Sequence, residues 1–381
     1  MQTTSPTLVQ PAATWTDLDR RMMARALELA QKGVGLVSPG PLVGCVIVDA
    51  TGNVAGDGFY VFEEVKHAET IALAAAGDKA RGGTAYVSLE PHAHHGRTSP
   101  CTDALLAAGI KRVVAPIDDA NPKVSGKGFQ HLNAAGISVE TGLLANEAQK
   151  LNESYLHFMR TGRPFVHLKM AVSLDGKIAT RTGDSRWVAG PAARERVQEL
   201  RHQYDAIVVG AGTAAIDDPL LTDRSGLKRR RPLLRVVLDE RLQITNDSQL
   251  VRTASATPLI VFAGESADET TTTELQSKGV EVIKSPARDL KEMLQELGRR
   301  SVTSVLVEGG ANVAGRLVDS ALINKVTFFV APKIVGGEES LSAVGGVGVE
   351  LMSDAAKLRD VEVTQRGDDV EITGYPQLVS E

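Results

Sequence analysis

His67, Glu69, His92 and Cys101 are the residues of this chain whose types and spacing are best suited to chemistry. His67-Ala68-Glu69 sets an imidazole and a carboxylate side by side on what reads as the first turn of a helix. Pro91-His92 and Pro100-Cys101 follow, with eight residues between His92 and Cys101. Two imidazoles and a thiolate are a donor set for zinc that leaves a fourth position for water, as a catalytic site requires. Zinc makes hydroxide from water near neutral pH, and a carboxylate beside it moves protons from that water to a leaving amine. The chemistry that fits is hydrolytic deamination, with Glu69 as acid/base and His67, His92 and Cys101 as ligands. The pattern for such sites places a cysteine directly after the first proline, where this chain has His92. One thiolate in place of two leaves more positive charge on the metal and so keeps its power to acidify water. Taken singly, each residue reads as structural; the joint pattern carries the inference. Cys45, inside the apolar run 43–48, reads as a buried core residue.

The elements that must position these groups alternate. Thr16-x-x-Asp19 resembles a capping box opening a helix to about Lys32, and Ser38-Pro39-Gly40-Pro41 ends it. Strands are expected over 43–48, up to Tyr60, over 84–89 and over 111–115. Helices are expected over 67–76 and from Pro100 to Leu106. His67 and Cys101 then sit at helix N-termini, where the local field favours a thiolate. The alternation implies a three-layer α/β domain. A helix over 151–163 and the Gly162-Arg163-Pro164 break lead into a second α/β pattern. Its strands are expected over 166–171, 206–209, 234–238, 258–262 and 304–307, and its helices over 192–202, 290–297 and 312–317. The expected organisation is a flexible tail over 1–15, one domain over 16–160 and another over 164–381.

Composition narrows the function classes. A chain of 381 residues exceeds one typical core. A formal net charge of −5 leaves no basic footprint for nucleic acid, and the run Lys228-Arg229-Arg230-Arg231 reads as a solvated loop. No apolar stretch approaches a membrane-spanning length, and no signal-peptide layout opens the sequence. With only two cysteines, a reducing, cytoplasmic location is the expectation.

Further motifs fill both halves. The first contains Leu89-Glu90-Pro91-x-x-His94-His95-Gly96-Arg97-Thr98-x-Pro100-Cys101, Ser38-Pro39-x-Pro41-x-Val43-Gly44-Cys45-Val46 and Asp119-x-Asn121-Pro122. The second contains Lys169-x-Ala171-x-Ser173-Leu174-Asp175-Gly176-Lys177, Ser185-Arg186-Trp187 and Gly212-Thr213-x-x-x-Asp217-Asp218-Pro219-x-Leu221-Thr222. It ends with Val307-Glu308-Gly309-Gly310-Ala311-Asn312-Val313-Ala314-Gly315, an apolar strand running into a helix. Glycines there let backbone amides approach a phosphate at a helix N-terminus. Alone, any strand–turn–helix reads this way.

Together these motifs resemble, over nearly the whole chain, the bifunctional deaminase–reductase family of riboflavin biosynthesis. The resemblance implies a cytidine-deaminase-like α/β domain followed by a dihydrofolate-reductase-like α/β domain, with zinc in the first and NADPH in the second. It implies phosphoribosylaminopyrimidine substrates, deaminated and then reduced from a ribosyl to a ribityl chain, and a homo-oligomer. It assigns the deaminase substrate to His94, Arg97, Asp119 and Asn121. It assigns NADPH to Ala171, Trp187, Thr213, Asp217, Leu220 and the run Gly310, Ala311, Asn312, Val313, Ala314, Gly315 and Arg316. The reductase substrate falls to Ser185, Arg201, Arg224 and Glu308, with Arg201 read as a phosphate anchor. Three positions depart from the family pattern: His92 for a zinc cysteine, Gly40 for a substrate-binding asparagine and Tyr60 for a pocket histidine. Two alternatives stay open: a reductase carrying an inert deaminase-like domain, and a non-catalytic nucleotide-binding sensor.

Overall fold

A computed structural model describes residues 15–96, 98–285 and 289–377, and every structural statement below concerns these. The chain divides into two compact units, Met1–Arg160 and Thr161–Glu381. The expected tail over 1–15 lies outside the described residues except for Trp15, which packs against the core of the first unit.

The first unit comprises α1 (Asp17–Gln31), β1 (Gly44–Val48), β2 (Val54–Phe59), α2 (Ala68–Ala76), β3 (Thr84–Val87), α3 (Cys101–Ala107), β4 (Arg112–Ala115), α4 (Lys127–Ala134), β5 (Ser138–Thr141), α5 (Ala145–Leu151) and α6 (Glu153–Thr161). Its sheet has the order β2-β1-β3-β4-β5, with β1 antiparallel to both neighbours and β3, β4 and β5 parallel. Met23, Ala26 and Leu29 of α1 pack with Val46, Tyr86 and Val114 on one face. Ala68, Ala72, Leu105 and Leu132 cover the other, so the expected three layers are present. Cys45 is fully buried there. The capping box forms as read, Asp19 N–H donating to Thr16 Oγ1 at 3.1 Å and Thr16 N–H returning to Asp19 at 2.9 Å. Glycine lets α2 lie directly on the sheet: a Cβ at Gly56 would fall 2.4 Å from Ala72 O, and one at Gly58 2.6 Å from Ile71. The helix expected over 151–163 forms as α6, and α5, which was not foreseen, precedes it, the two separated at Asn152. Its side-chain amide accepts from Leu42 N–H at 2.8 Å and donates to Leu42 O at 2.9 Å.

The second unit comprises β6 (Phe165–Ser173), α7 (Pro191–Gln203), β7 (Ala206–Gly210), α8 (Ala211–Asp217), β8 (Leu234–Leu238), α9 (Gln249–Arg252), β9 (Leu259–Ala263), α10 (Glu269–Ser277), β10 (Glu281–Lys284), α11 (Leu290–Arg299), β11 (Ser304–Val307), α12 (Ala311–Asp319), β12 (Lys325–Ala331), β13 (Lys357–Arg366) and β14 (Asp369–Gln377). The sheet order is β10-β9-β8-β7-β11-β6-β12-β14-β13, parallel from β10 to β12 and closed by an antiparallel hairpin. Helices α11 and α12 cover one face, while α7 to α10 cover the other. The five strands expected here all form; β10, β12 and the hairpin were not foreseen. β13 is exposed along nearly its whole length, so pairing with β14 rather than burial makes it a strand. The basic run is not simply a solvated loop. Arg229 donates to the carbonyls of Arg201, His202 and Tyr204 at 2.9, 3.0 and 2.7 Å, closing the carboxyl end of α7.

Asp19 joins the layers of the first unit. Its buried carboxylate accepts from Tyr86 Oη at 2.7 Å and from Arg112 Nη1 at 2.6 Å, and Arg112 also pairs with Glu140 of β5 at 2.7 and 2.8 Å. Burial would raise the Asp19 pKa, but these donors outweigh it and hold the carboxyl far below the usual range. Such a group stabilises the fold fully above its unfolded value, roughly pH 4, and the stabilisation is lost as pH falls toward the folded value. Asp19→Ala is expected to cost about 2–3 kcal/mol, between the figures for surface and buried pairs. Thermal melts of the variant should show a flatter decline in stability below about pH 4 than those of the wild type.

Candidate functional site

Two helix starts and one loop converge in the first unit. His67 is the N-cap residue of α2, and its ring is released from capping because it makes no cap hydrogen bond. Cys101 opens α3 after Pro100 and is fully buried. His92, also buried, enters from the loop after β3, and its carbonyl accepts from Thr102 N–H at 3.3 Å, which ties that loop to the start of α3. The ligand atoms of His67, His92 and Cys101 all lie within 4.8 Å of one another. The Cys101 thiol is 3.4 Å from His67 Nδ1, and the two imidazole rings are centred 4.5 Å apart. The Thr98 hydroxyl stands 3.4 and 3.5 Å from Nε2 of His67 and of His92.

Glu69 points into the same space. It is 3 % exposed, and its Oε2 has no hydrogen-bond partner among the described residues. A buried carboxylate oxygen without a donor is costly unless something absent from the polypeptide completes it. Burial pushes the His92 pKa down to about 4, helped by His67 and His94, so this imidazole is neutral and ready to ligate. Burial, and then the Glu69 charge, push the Cys101 thiol well up. Deprotonating it therefore calls for a cation in the cluster. Converging N, N and S donors, with a carboxylate oxygen left without a partner, fit a zinc ion.

Of the expected substrate side chains, His94 stands beside this cluster. His94 lies 5.2 Å from His92 ring to ring, and its Nδ1 is buried without a partner among the described residues. Asp119 accepts from Asn121 N–H at 2.8 Å and from Tyr155 Oη at 2.9 Å, and burial raises its pKa to about 6. Arg97 lies outside the described residues. Glu90, quoted in the motif without a role, fixes this wall. Its carboxylate accepts from the backbone N–H groups of Asp119, Gly126 and Gly128 at 3.0, 2.8 and 2.9 Å. The Tyr60 ring lies 5.1 Å from that of His67, and a Cβ on Gly40 would be 3.1 Å from Tyr60 Cε1. Tyr155 had no motif to signal it, since its partner Asp119 lies 36 residues away.

In the second unit, neighbouring parallel strands β7 and β11 end at turns into α8 and α12. Gly310 is the N-cap residue of α12, and a Cβ there would stand 3.5 Å from Thr213 Oγ1 of α8. That approach leaves the first N–H groups of α12 available to an anion. The expected cofactor run divides here. Gly310, Ala311, Asn312 and Arg316 remain at least partly accessible, whereas the side chains of Val313 and Ala314 are in the core. Gly315 lies against the backbone of Gly345 and Gly346, where a Cβ would be 2.2 Å from Gly345 C. Trp187 is 65 % exposed, with the Arg194 guanidinium 4.8 Å over its ring, so it is not a core residue. Ser185 Oγ donates to Asp217 at 3.0 Å.

Beside them, Arg201 grips Glu308 with two bonds of 2.8 and 3.1 Å and donates from Nη1 to Thr222 O at 3.1 Å. Lys169 Nζ is 3.6 Å from the same carboxylate. Burial would raise the Glu308 pKa, but the charges of Arg201 and Lys169 outweigh it and hold the carboxyl low. Lys169 is thus a third member of this group. Arg224 is exposed, and its guanidinium takes no hydrogen bond among the described residues, only its backbone N–H being held, by Gln198 at 3.0 Å. No helix among the described residues is long and apolar enough to cross a membrane.

Comparison with known proteins gives a consistent picture. Residues 16–116 match the cytidine and deoxycytidylate deaminase zinc-binding region, and residues 164–372 match the RibD C-terminal domain. The chain is 40 % identical over 361 residues to the riboflavin biosynthesis protein RibD of Actinobacillus pleuropneumoniae, covering 94 % of each. It is 40 % identical over 368 residues to that of Escherichia coli, covering 92 % of this chain and 98 % of the relative. Among solved structures, form 1 of Acinetobacter baumannii RibD superposes with a TM-score of 0.84 at 35 % identity, over 94 % of this chain and 99 % of that one. A Thermotoga maritima diaminohydroxyphosphoribosylaminopyrimidine deaminase/5-amino-6-(5-phosphoribosylamino)uracil reductase superposes at 0.80, also at 35 % identity, over 94 % of this chain and 99 % of that one.

Protein purified with zinc supplied is expected to carry metal in the first unit and to lose it on His92→Ala or Cys101→Ala. Elemental analysis after dialysis reads this directly. Wild-type protein that stays metal-free would exclude ligation by this triad.

Proposed function

Because the chain belongs to the RibD family of riboflavin biosynthesis proteins, we propose that its two sites are those of a bifunctional enzyme, built on the residues described above. The protein is a pyrimidine deaminase and a reductase acting in sequence on a phosphoribosylaminopyrimidine. The observation that carries the deaminase reading is the buried Glu69 oxygen without a partner beside three converging ligand atoms.

His67, His92 and Cys101 would hold zinc, which supplies a Lewis acid that makes hydroxide available at neutral pH. Glu69 Oε2 takes a proton from the attacking water and delivers one to the departing amine, so that ammonia leaves. His94, Asp119 and Asn121 orient the pyrimidine, with Arg97 as the cation for its phosphate. Tyr155 and Glu90 hold Asp119 in place through hydrogen bonds to its carboxylate and its backbone N–H. In the second unit NADPH supplies the hydride that opens the ribosylamine to the ribityl chain. The start of α12 and Thr213 suit its phosphate groups, with Ala171, Trp187, Asp217 and Leu220 alongside. Glu308, fixed by Arg201 and Lys169, and Ser185 face the substrate. Arg224 is the free guanidinium for the ribose phosphate, since Arg201 already binds Glu308 and Thr222. The same reading places the enzyme in the cytoplasm as a homo-oligomer without nucleic acid. The exposed Val361 and Val363 on edge strand β13 are suited to a second copy, which light scattering tests.

Zinc-loaded enzyme is expected to release ammonia from the diaminopyrimidine ribosyl phosphate, and Glu69→Gln to slow this by about a hundredfold or more while sparing NADPH oxidation on the deaminated substrate. No release above the variant, with reduction intact, would leave the reductase as the single working site. Arg224→Ala should raise the reductase KM about tenfold to a hundredfold, the loss of one charge-assisted contact. Steady-state kinetics with NADPH saturating measures it, and an unchanged KM would remove Arg224 from the phosphate site.

A further inference from the structure

Arg235, on β8, is fully buried. Nη1 donates to Leu220 O at 3.3 Å and to Thr253 Oγ1 at 2.7 Å, and Nη2 to Thr257 O at 2.5 Å. Nε has no partner, and no carboxylate pairs with the guanidinium among the described residues. Burial alone pushes its pKa down, to about 10. A buried cation without a counter-charge destabilises a fold relative to an apolar residue of similar size. Its place in the interior therefore calls for something that only a three-armed donor provides.

Two of its bonds hold Thr253 and Thr257, and the third ties them to the loop after α8. Over residues 217–222 four carbonyls are each taken by a side-chain donor from a different part of the unit. Asp217 O accepts from Arg186 at 2.8 Å, Asp218 O from Gln249 Nε2, Leu220 O from Arg235 and Thr222 O from Arg201. Asp218 and Leu221 have φ of 40° and 50°, a left-handed conformation that non-glycine residues hold only when their surroundings enforce it. No strand ladder supports the segment, so the side-chain donors are what enforce it.

We propose that Arg235 is a positioning residue for NADPH binding: by holding Leu220 O from beneath, it fixes the loop that presents Asp217 and Leu220 to the cofactor. The proposal rests on the reading above that NADPH binds along this loop. Arg235 is fully buried, and Leu220 is its one contact in the loop, its other bonds holding Thr253 and Thr257, so its loss weakens NADPH binding and leaves the pyrimidine side and the hydride step intact.

The test is NADPH affinity by fluorescence titration of the whole protein, with reductase KM and kcat for both ligands and a thermal melt for each variant. Arg235→Met is expected to raise the NADPH Kd about tenfold, with the pyrimidine KM and the kcat at saturating NADPH within about twofold of wild type. Arg235→Lys should recover part of the affinity, because an ammonium reaches fewer of the three acceptors. Gln249→Ala, at an exposed position, removes a second pin without touching the core and should weaken NADPH in the same sense with an unaltered melt. Folded Arg235→Met with wild-type NADPH affinity would overturn the proposal. Should that variant not fold, wild-type affinity in Gln249→Ala overturns it instead. Leu220→Ala separates the two levels. If it leaves NADPH affinity unchanged, the loop does not face the cofactor and the underlying reading fails. If it weakens NADPH while Arg235→Met and Gln249→Ala do not, the positioning role alone fails.

Discussion

An ionised group removed from water must be surrounded by donors or opposite charge, and both units are organised around that requirement. Asp19 gathers Thr16, Tyr86 and Arg112, which joins a helix to two strands. Glu90 gathers three backbone N–H groups and so shapes the wall that carries Asp119. Glu308 lies between Arg201 and Lys169, and Arg201 reaches on to the loop at Thr222. In each case the buried charge defines where a loop can run. Glu69 is the exception that gives the first site its character. One of its oxygens is buried and left without a donor, where the chemistry needs a base that is not already occupied.

The three departures from the family pattern meet in space. Gly40 and Tyr60 pack against each other, and the Tyr60 ring lies on His67, itself beside His92. A larger residue at position 40 would have to displace the tyrosine, so these two changes are compatible with each other and not independent losses. His92 keeps the donor count at three with a neutral nitrogen in place of a thiolate. The candidate donor set is altered in charge, and its three atoms still converge within 4.8 Å of one another.

Much of this was legible in the residues because it is local. A capping box, a histidine and a cysteine at helix starts, and glycines at a strand–helix turn each depend on a few neighbouring positions, and all took the expected conformations. Most of the parallel strands were readable from their apolar runs, whereas β5, β10 and β12 were not. The exposed β13 was not, since pairing with β14 rather than burial makes it a strand.

Sequence by itself determined the motif-bearing elements, the metal-type cluster and the family, because each follows from short motifs in a set order. Only the tertiary structure decided which polar residues are already occupied. It committed Arg201 to Glu308 and left Arg224 open, set Arg229 on a helix end, put Gly315 under a neighbouring loop and gave Tyr155 to Asp119. Those outcomes turn on partners tens of residues apart, and the energy of a buried charge depends on what the fold brings within reach of it.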